Sequence, residues 1–118
     1  MRRRTLAYPC YAMLDRAASC EDKVSRWQSE QHLRDHFGEH GRQTGCRTMA
    51  GYDASAQSAL NAGTYLTYLD SGTGLERVGC FDRASGRFVV LNEDDEIVSH
   101  FLATVRYIRR WPYNNYDG

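Results

Sequence analysis

Lysine is almost absent from this chain: Lys23 is the only one among 15 basic residues, and the other fourteen are arginines. Arginine is the better partner for planar phosphate and base contacts, although a GC-rich coding bias produces the same skew. An excess of either charge is also missing. The 15 basic residues meet 15 acidic ones, for a formal net charge of zero. Proteins that hold nucleic acid through its phosphates usually show a basic face, so the overall balance gives no support for such binding and leaves only local patches. The acidic run Glu93-Asp94-Asp95-Glu96 falls in one expected turn. Away from it, Arg77, Arg83, Arg87, Arg106, Arg109 and Arg110 leave the C-terminal half locally basic.

No run of about 18 apolar residues occurs, so no membrane-spanning helix and no membrane partner is expected. Met1-Arg2-Arg3-Arg4 resembles the start of a signal peptide, but Pro9, Asp15 and Arg16 interrupt the stretch where its apolar core would lie. The expected location is the cytoplasm, or a target cell reached by a leaderless export route. No CxxC pair occurs among Cys10, Cys20, Cys46 and Cys80, and two disulfides are arithmetically possible. Pro9 limits any helix before it.

What is present reads as one α+β domain, with N-terminal helices packed on a C-terminal antiparallel meander of four to five strands. Tyr11–Ala18 suits a short helix. Residues 21–41 read as helical, with a break near Ser29, which can N-cap a helix opening at Glu30. Gly38 and Gly41 supply its stop signals. Asp53 is expected to cap a helix over Ala54–Ala62 that presents Ala56, Ala59 and Leu60. Strands follow over Tyr65–Leu69, Glu76–Phe81, Arg87–Leu91, Glu96–Leu102 and Val105–Arg110. Period two places Val78 and Cys80 on one face, and Arg77, Gly79 and Phe81 on the other. It also groups Ile97 with Ser99 and Phe101, and sets Val98, His100 and Leu102 opposite.

Three histidines lie four apart, at His32, His36 and His40, and such positions are neighbours on a helix face. One reading is a zinc site completed by Cys46 or Cys20. Against it, zinc wants four ligands, and Gly38 is expected to end the helix before His40. The other reading is acid–base chemistry on RNA. Attack of a ribose 2′-OH on the adjacent phosphorus needs a base, an acid, and donors for the phosphate oxygens. Histidine suits both proton roles, arginine suits the phosphate, a hydroxyl can donate to an oxyanion, and aromatics can stack on bases. His36, His40, His100, Arg77, Ser99, Tyr107, Tyr113 and Tyr116 supply these types. A single histidine at a helix end is more often a cap or a surface group, so the argument rests on their convergence.

The segments "HLRDHFGEHGRQTG", "YDASAQSAL" and "ERVGCFDRASGRFVVLNEDDEIVSHFLATVRYIRRWPYNNY" occur in that order. The pattern resembles the small nuclease domains of bacterial polymorphic and phage-associated toxins, in the broad superfamily of barnase, EndoU, colicin and RelE ribonucleases. It covers about residues 30–116, so 1–29 is expected to be an extension and 30–118 the nuclease-type domain. The resemblance implies a metal-independent endoribonuclease with no cofactor, an RNA substrate such as tRNA, and a cognate immunity or antitoxin protein. His36 or His40 would transfer the proton, Arg77 would contact the scissile phosphate, and Ser99 would supply the hydroxyl. Ser99 stands where similar sequences carry threonine. His100, Tyr107, Arg109 and Tyr116 would bind substrate. The competing expectations are a non-enzymatic protein- or RNA-binding module, and a small zinc-binding protein built on His32, His36 and His40.

Overall fold

The computed structural model describes residues 25–117. Its first helix, α1, covers Glu30–His40 and begins where the Ser29 hydroxyl accepts the backbone N–H of His32. That bond satisfies one of the donors a helix start leaves open. Gly38 does not stop the helix. It continues to His40, and the N–H of Gly41 closes it on the Phe37 carbonyl at 2.8 Å. The expected helix over Tyr11–Ala18 lies outside the described residues.

The second helix, α2, covers Met49–Ala62 and starts earlier than the sequence suggested. Thr48 is its cap, accepting the N–H of Gly51 at 3.0 Å. Asp53, read from the sequence as the cap, sits within the helix and holds the Trp27 indole N–H at 2.9 Å. The face Ala56, Ala59 and Leu60 is buried against the sheet, as its small side chains allow.

Four antiparallel strands follow in the spatial order of the chain: β1 Thr64–Asp70, β2 Leu75–Asp82, β3 Arg87–Leu91 and β4 Ile97–Leu102. Alternation and short turns dictate this meander. The protein is thus α+β, with α1 and α2 preceding a four-stranded sheet. The fifth strand expected over Val105–Arg110 is instead a short helix, α3, over Val105–Arg109. Thr104 caps it by accepting the N–H of Tyr107 at 3.1 Å. Val105 and Ile108 lie three apart, the helical rather than the strand spacing, and both join the core together with Trp111.

Each sheet face carries its own core. Trp27, Tyr52, Ala56, Leu60, Cys80, Val89, Leu91 and Ile97 fill the face under α1 and α2. Leu66, Tyr68, Phe81, Phe88, Val90 and Ile108 fill the face under α3 and the C-terminal segment. Trp27 pairs with Ile97 beside β4. Trp27 therefore belongs to the core under the helices. The C-terminal segment covers β1, where Leu69 donates to the Pro112 carbonyl at 2.8 Å and Asn115 donates to the Thr67 carbonyl at 3.1 Å. Both outer strands are thus partly covered, which shortens their open pairing edges. Cys80 is disulfide-bonded and Cys46 is free.

The face assignment in β4 departs from simple alternation. Leu91 pairs with Ile97, yet Val90 pairs with Ser99, so one extra residue sits in β4 opposite the Val90/Leu91 step. This bulge reverses the parity of everything after it. Ile97 and His100 face the helices, while Ser99 and Phe101 join the opposite face.

Gly79 permits the tightest packing between the inner strands. A Cβ there would overlap the Phe88 ring. Gly79→Ala is expected to lower stability by about 1–3 kcal/mol through overpacking. Gly38→Ala, in α1 with open space around it, should instead gain roughly 0.5–1 kcal/mol. Urea denaturation of the two variants checks both signs.

Candidate active-site cleft

The cleft of interest is formed by residues of β1, β2, β3 and β4 together with His36 of α1 and the segment from Tyr107 to Pro112. Its volume is about 530 Å³. His36, Arg77, Ser99 and Tyr107 line it together with Tyr68, Asp70, Arg110 and Trp111. Residues more than sixty positions apart in the chain therefore meet there.

Each of these side chains is placed by a local cause. Helix α1 runs beside β4, and its stripe of histidines at four-residue spacing faces that strand. The rings stack in series, with centroids 6.2 Å apart for His32–His36 and 5.9 Å for His36–His40. His40 then rests on Phe101 at 5.6 Å. His36 reaches across the strand, and its Nδ1 lies 3.1 Å from Ser99 Oγ. When Nδ1–H donates to Ser99, Nε2 keeps its lone pair. Burial, with help from His40, holds the His36 pKa below its ordinary value, while Glu39 opposes that shift. The imidazole is therefore mainly neutral at pH 7 and able to accept a proton.

Arg77 comes from β2, opposite Tyr68 of β1. Its Nε lies 3.9 Å from Asp70 Oδ2. The same carboxylate accepts the N–H of Gly72 and the hydroxyl of Thr73, which fixes the turn after β1. At that distance and exposure the ion pair orients the guanidinium more than it stabilises the fold. Tyr68 stacks on Trp111 with centroids 4.4 Å apart. Burial, and then the neighbouring Asp70, raise its pKa, so the phenol stays protonated. Tyr107 stands half-exposed at the mouth, edge-on to Trp111 at 5.4 Å. It also borders a second hollow of about 720 Å³ that contains Gln43 and Arg83.

Five of the residues named from the sequence are not in the cleft, among them Tyr113, which is exposed. His40 stacks behind His36. His100, expected to bind substrate, is fully buried on the opposite face. Its Nδ1–H donates to the Phe88 carbonyl at 2.9 Å, and its Nε2 accepts from Ser55 Oγ at 2.8 Å. Tyr52 donates to its backbone carbonyl. The bulge in β4 is the reason that His100 points into the core and Ser99 into the cleft. Tyr116 packs edge-on against Phe81 at 5.6 Å, away from the cleft. Arg109 is exposed and does not line the cleft, whereas Arg110 does.

Sequence reasoning did not single out Tyr68, Asp70, Arg110 and Trp111 as site residues. Arg110 was within reach of a helical reading, because Tyr107 and Arg110 are neighbours at three-residue spacing only in a helix. Tyr68 and Trp111 looked like packing residues and carried no separate signal.

The zinc expectation also changes. Because α1 runs through Gly38, His36, Glu39 and His40 bring three ligating atoms within 4.8 Å of one another. His32 is tied instead to Ser29 Oγ at 2.7 Å, and Cys46 does not belong to the group. Among the described residues no helix is long and apolar enough to cross a membrane. The fold and the cleft define a small α+β domain with a neutral imidazole, two guanidiniums and a hydroxyl in one hollow. Comparison with known family models, curated proteins and solved structures finds no match for the chain.

His100 makes stability depend on pH. Burial, opposed by its bond to Phe88, lowers its pKa to about 4. The folded state therefore resists protonation that the unfolded chain accepts. This contribution is complete above the ordinary histidine range and is lost as pH falls toward 4. The loss is roughly 3 kcal/mol, since each tenfold weakening of proton binding is worth about 1.4 kcal/mol. Urea denaturation at pH 7.5 and 4.5 should show it, and His100→Gln should flatten that part of the profile.

Proposed function

We propose that this protein is a metal-independent endoribonuclease of the bacterial toxin type, with its site in the His36–Arg77–Ser99 cleft. The observation that carries the reading is the 3.1 Å contact between His36 and Ser99 in a hollow that also contains Arg77 and Arg110. The resemblance to toxin nuclease domains supports it independently of the geometry.

The roles follow from the chemistry of the groups. His36 Nε2 takes the proton of the ribose 2′-OH, with Ser99 fixing the ring. The 2′-oxygen attacks phosphorus, and the bond to the 5′-oxygen breaks. Arg77 and Arg110 neutralise the charge that builds on the non-bridging oxygens. Tyr68, kept as a phenol by burial, is the candidate donor to the leaving oxygen. The products are a 2′,3′-cyclic phosphate and a 5′-hydroxyl. Tyr107 offers a face for a base next to the cut, and the hollow with Gln43 and Arg83 extends the path of the strand beyond it. His40 supports His36 by stacking and is a positioning residue.

Incubating the purified chain with total RNA in EDTA tests the reading. Cleavage to cyclic-phosphate ends is expected. His36→Ala should lower the rate by about 10²–10⁴-fold, the range for a general acid–base group. Arg77→Ala should lower it by roughly 10²–10³-fold, as expected for loss of a preorganised charge-stabilising donor. RNA left intact at high protein concentration would instead favour a non-enzymatic binding module, a reading that the zero net charge also suits.

A further inference from the structure

We propose that His36, Glu39 and His40 form a divalent transition-metal site, of the kind that takes Zn²⁺, and that its occupation removes His36 from proton transfer. The regulatory half of this proposal rests on the nuclease reading above; the metal site does not.

The geometry is local and stiff. The three residues occupy the last turn of α1, at spacings of three and four, so their side chains emerge on one side of the helix. Glu39 Oε1 lies 3.7 Å from His40 Nε2 and 3.9 Å from His36 Nδ1. A tetrahedral zinc ion with bonds near 2.0–2.1 Å sets its ligand atoms about 3.4 Å apart. Closing the Glu39 gaps requires side-chain shifts of a few tenths of an ångström; bringing all three atoms, which lie within 4.8 Å of one another, to that spacing requires up to about 1.4 Å and a turn of the imidazole rings about their side-chain bonds. The imidazoles are half-buried and held by stacking, His36 on His40 and His40 on Phe101. The C-terminal end of the helix dipole favours a cation there. Two imidazoles and one carboxylate make a three-ligand set that leaves a fourth position for water, as in open zinc sites.

The regulatory consequence comes from the imidazole itself. A neutral ring has one lone pair and one N–H. A metal at Nδ1 displaces the Ser99 hydroxyl from that nitrogen and leaves the proton on Nε2. The ring then has no lone pair for a 2′-OH proton. Zinc is therefore an inhibitor of the cleft, and a chelator releases it.

The test uses the full chain after chelator treatment. Titration with Co²⁺ should give visible bands of a tetrahedral site at one ion per chain, without the thiolate charge-transfer absorption that cysteine ligands produce. Glu39→Gln and His40→Ala should each weaken metal binding by more than about 100-fold, beyond what outer-shell partners cost. His32→Ala should leave it unchanged. Zinc should shift the imidazole nitrogen resonances of His36 and His40, and leave those of His32 and His100 in place. A six-coordinate or thiolate spectrum overturns the site, and so does a His36 resonance that ignores zinc. Within each protein that cuts RNA, the rate is compared with and without zinc. Strong inhibition of the natural chain that disappears in Glu39→Gln supports the switch. Activation by zinc, or inhibition that persists in the variant, overturns it. Metal bound at these ligands by a chain that cuts no RNA leaves the site standing and removes the nuclease reading alone.

Discussion

One extra residue in β4 sets the character of both faces of the sheet. Opposite the Val90/Leu91 step the strand bulges, and side-chain parity reverses. Without that reversal Ser99 would point into the core under the helices, and the His100 imidazole would point into the cleft. With it, His100 becomes a fully satisfied buried group, bonded to Ser55 and to the Phe88 carbonyl. Ser99 becomes the partner of His36. The same local irregularity therefore completes one core and equips the other face with a hydroxyl. Its cost is offset by the packing on either side, where Leu91, Val89 and Ile97 are buried under the helices, and Phe88 and Val90 under α3.

The cleft depends on two elements that flank the sheet rather than belong to it. Helix α1 brings His36 alongside β4, and the histidine stack braces that ring from behind. Helix α3 and the C-terminal segment bring Tyr107, Arg110 and Trp111 over the strands. Trp111 links them, since it contacts Tyr68, Phe88 and Tyr107. The wall of the cleft is thus continuous with the second core. A side chain on rigid, packed elements is held in place more firmly than one on a loop, which is what proton transfer over a fixed distance requires.

His36 carries both proposals, because its surroundings suit two kinds of chemistry. Its contact with Ser99 suits a base, and its neighbours Glu39 and His40 suit a metal. The first follows from the bulge that turns Ser99 toward His36, and the second from the continuation of α1 through Gly38. A neutral, half-buried imidazole serves either role, and the occupant of its lone pair decides which.

The sequence alone determined the class and most of the elements. Ser29 as a helix cap, the four strands, the alternation in β2 and the small-residue face of α2 were all legible, because each is a local preference written in neighbouring residues. It also named His36, Arg77, Ser99 and Tyr107, which the fold gathers into one cleft. Tertiary structure decided the rest. "VRYIRRW" fits either period, and only burial of Ile108 and the Thr104 cap made it a helix, which put Arg110 rather than Arg109 at the site. Asp53 resembles a cap, but only folding supplied the Trp27 indole as its partner. The bulge in β4 has no signature in the residues that form it. It arises from the register between two strands, and register is settled by what each face must bury. That is why the choice between Ser99 and His100 could not be read along the chain.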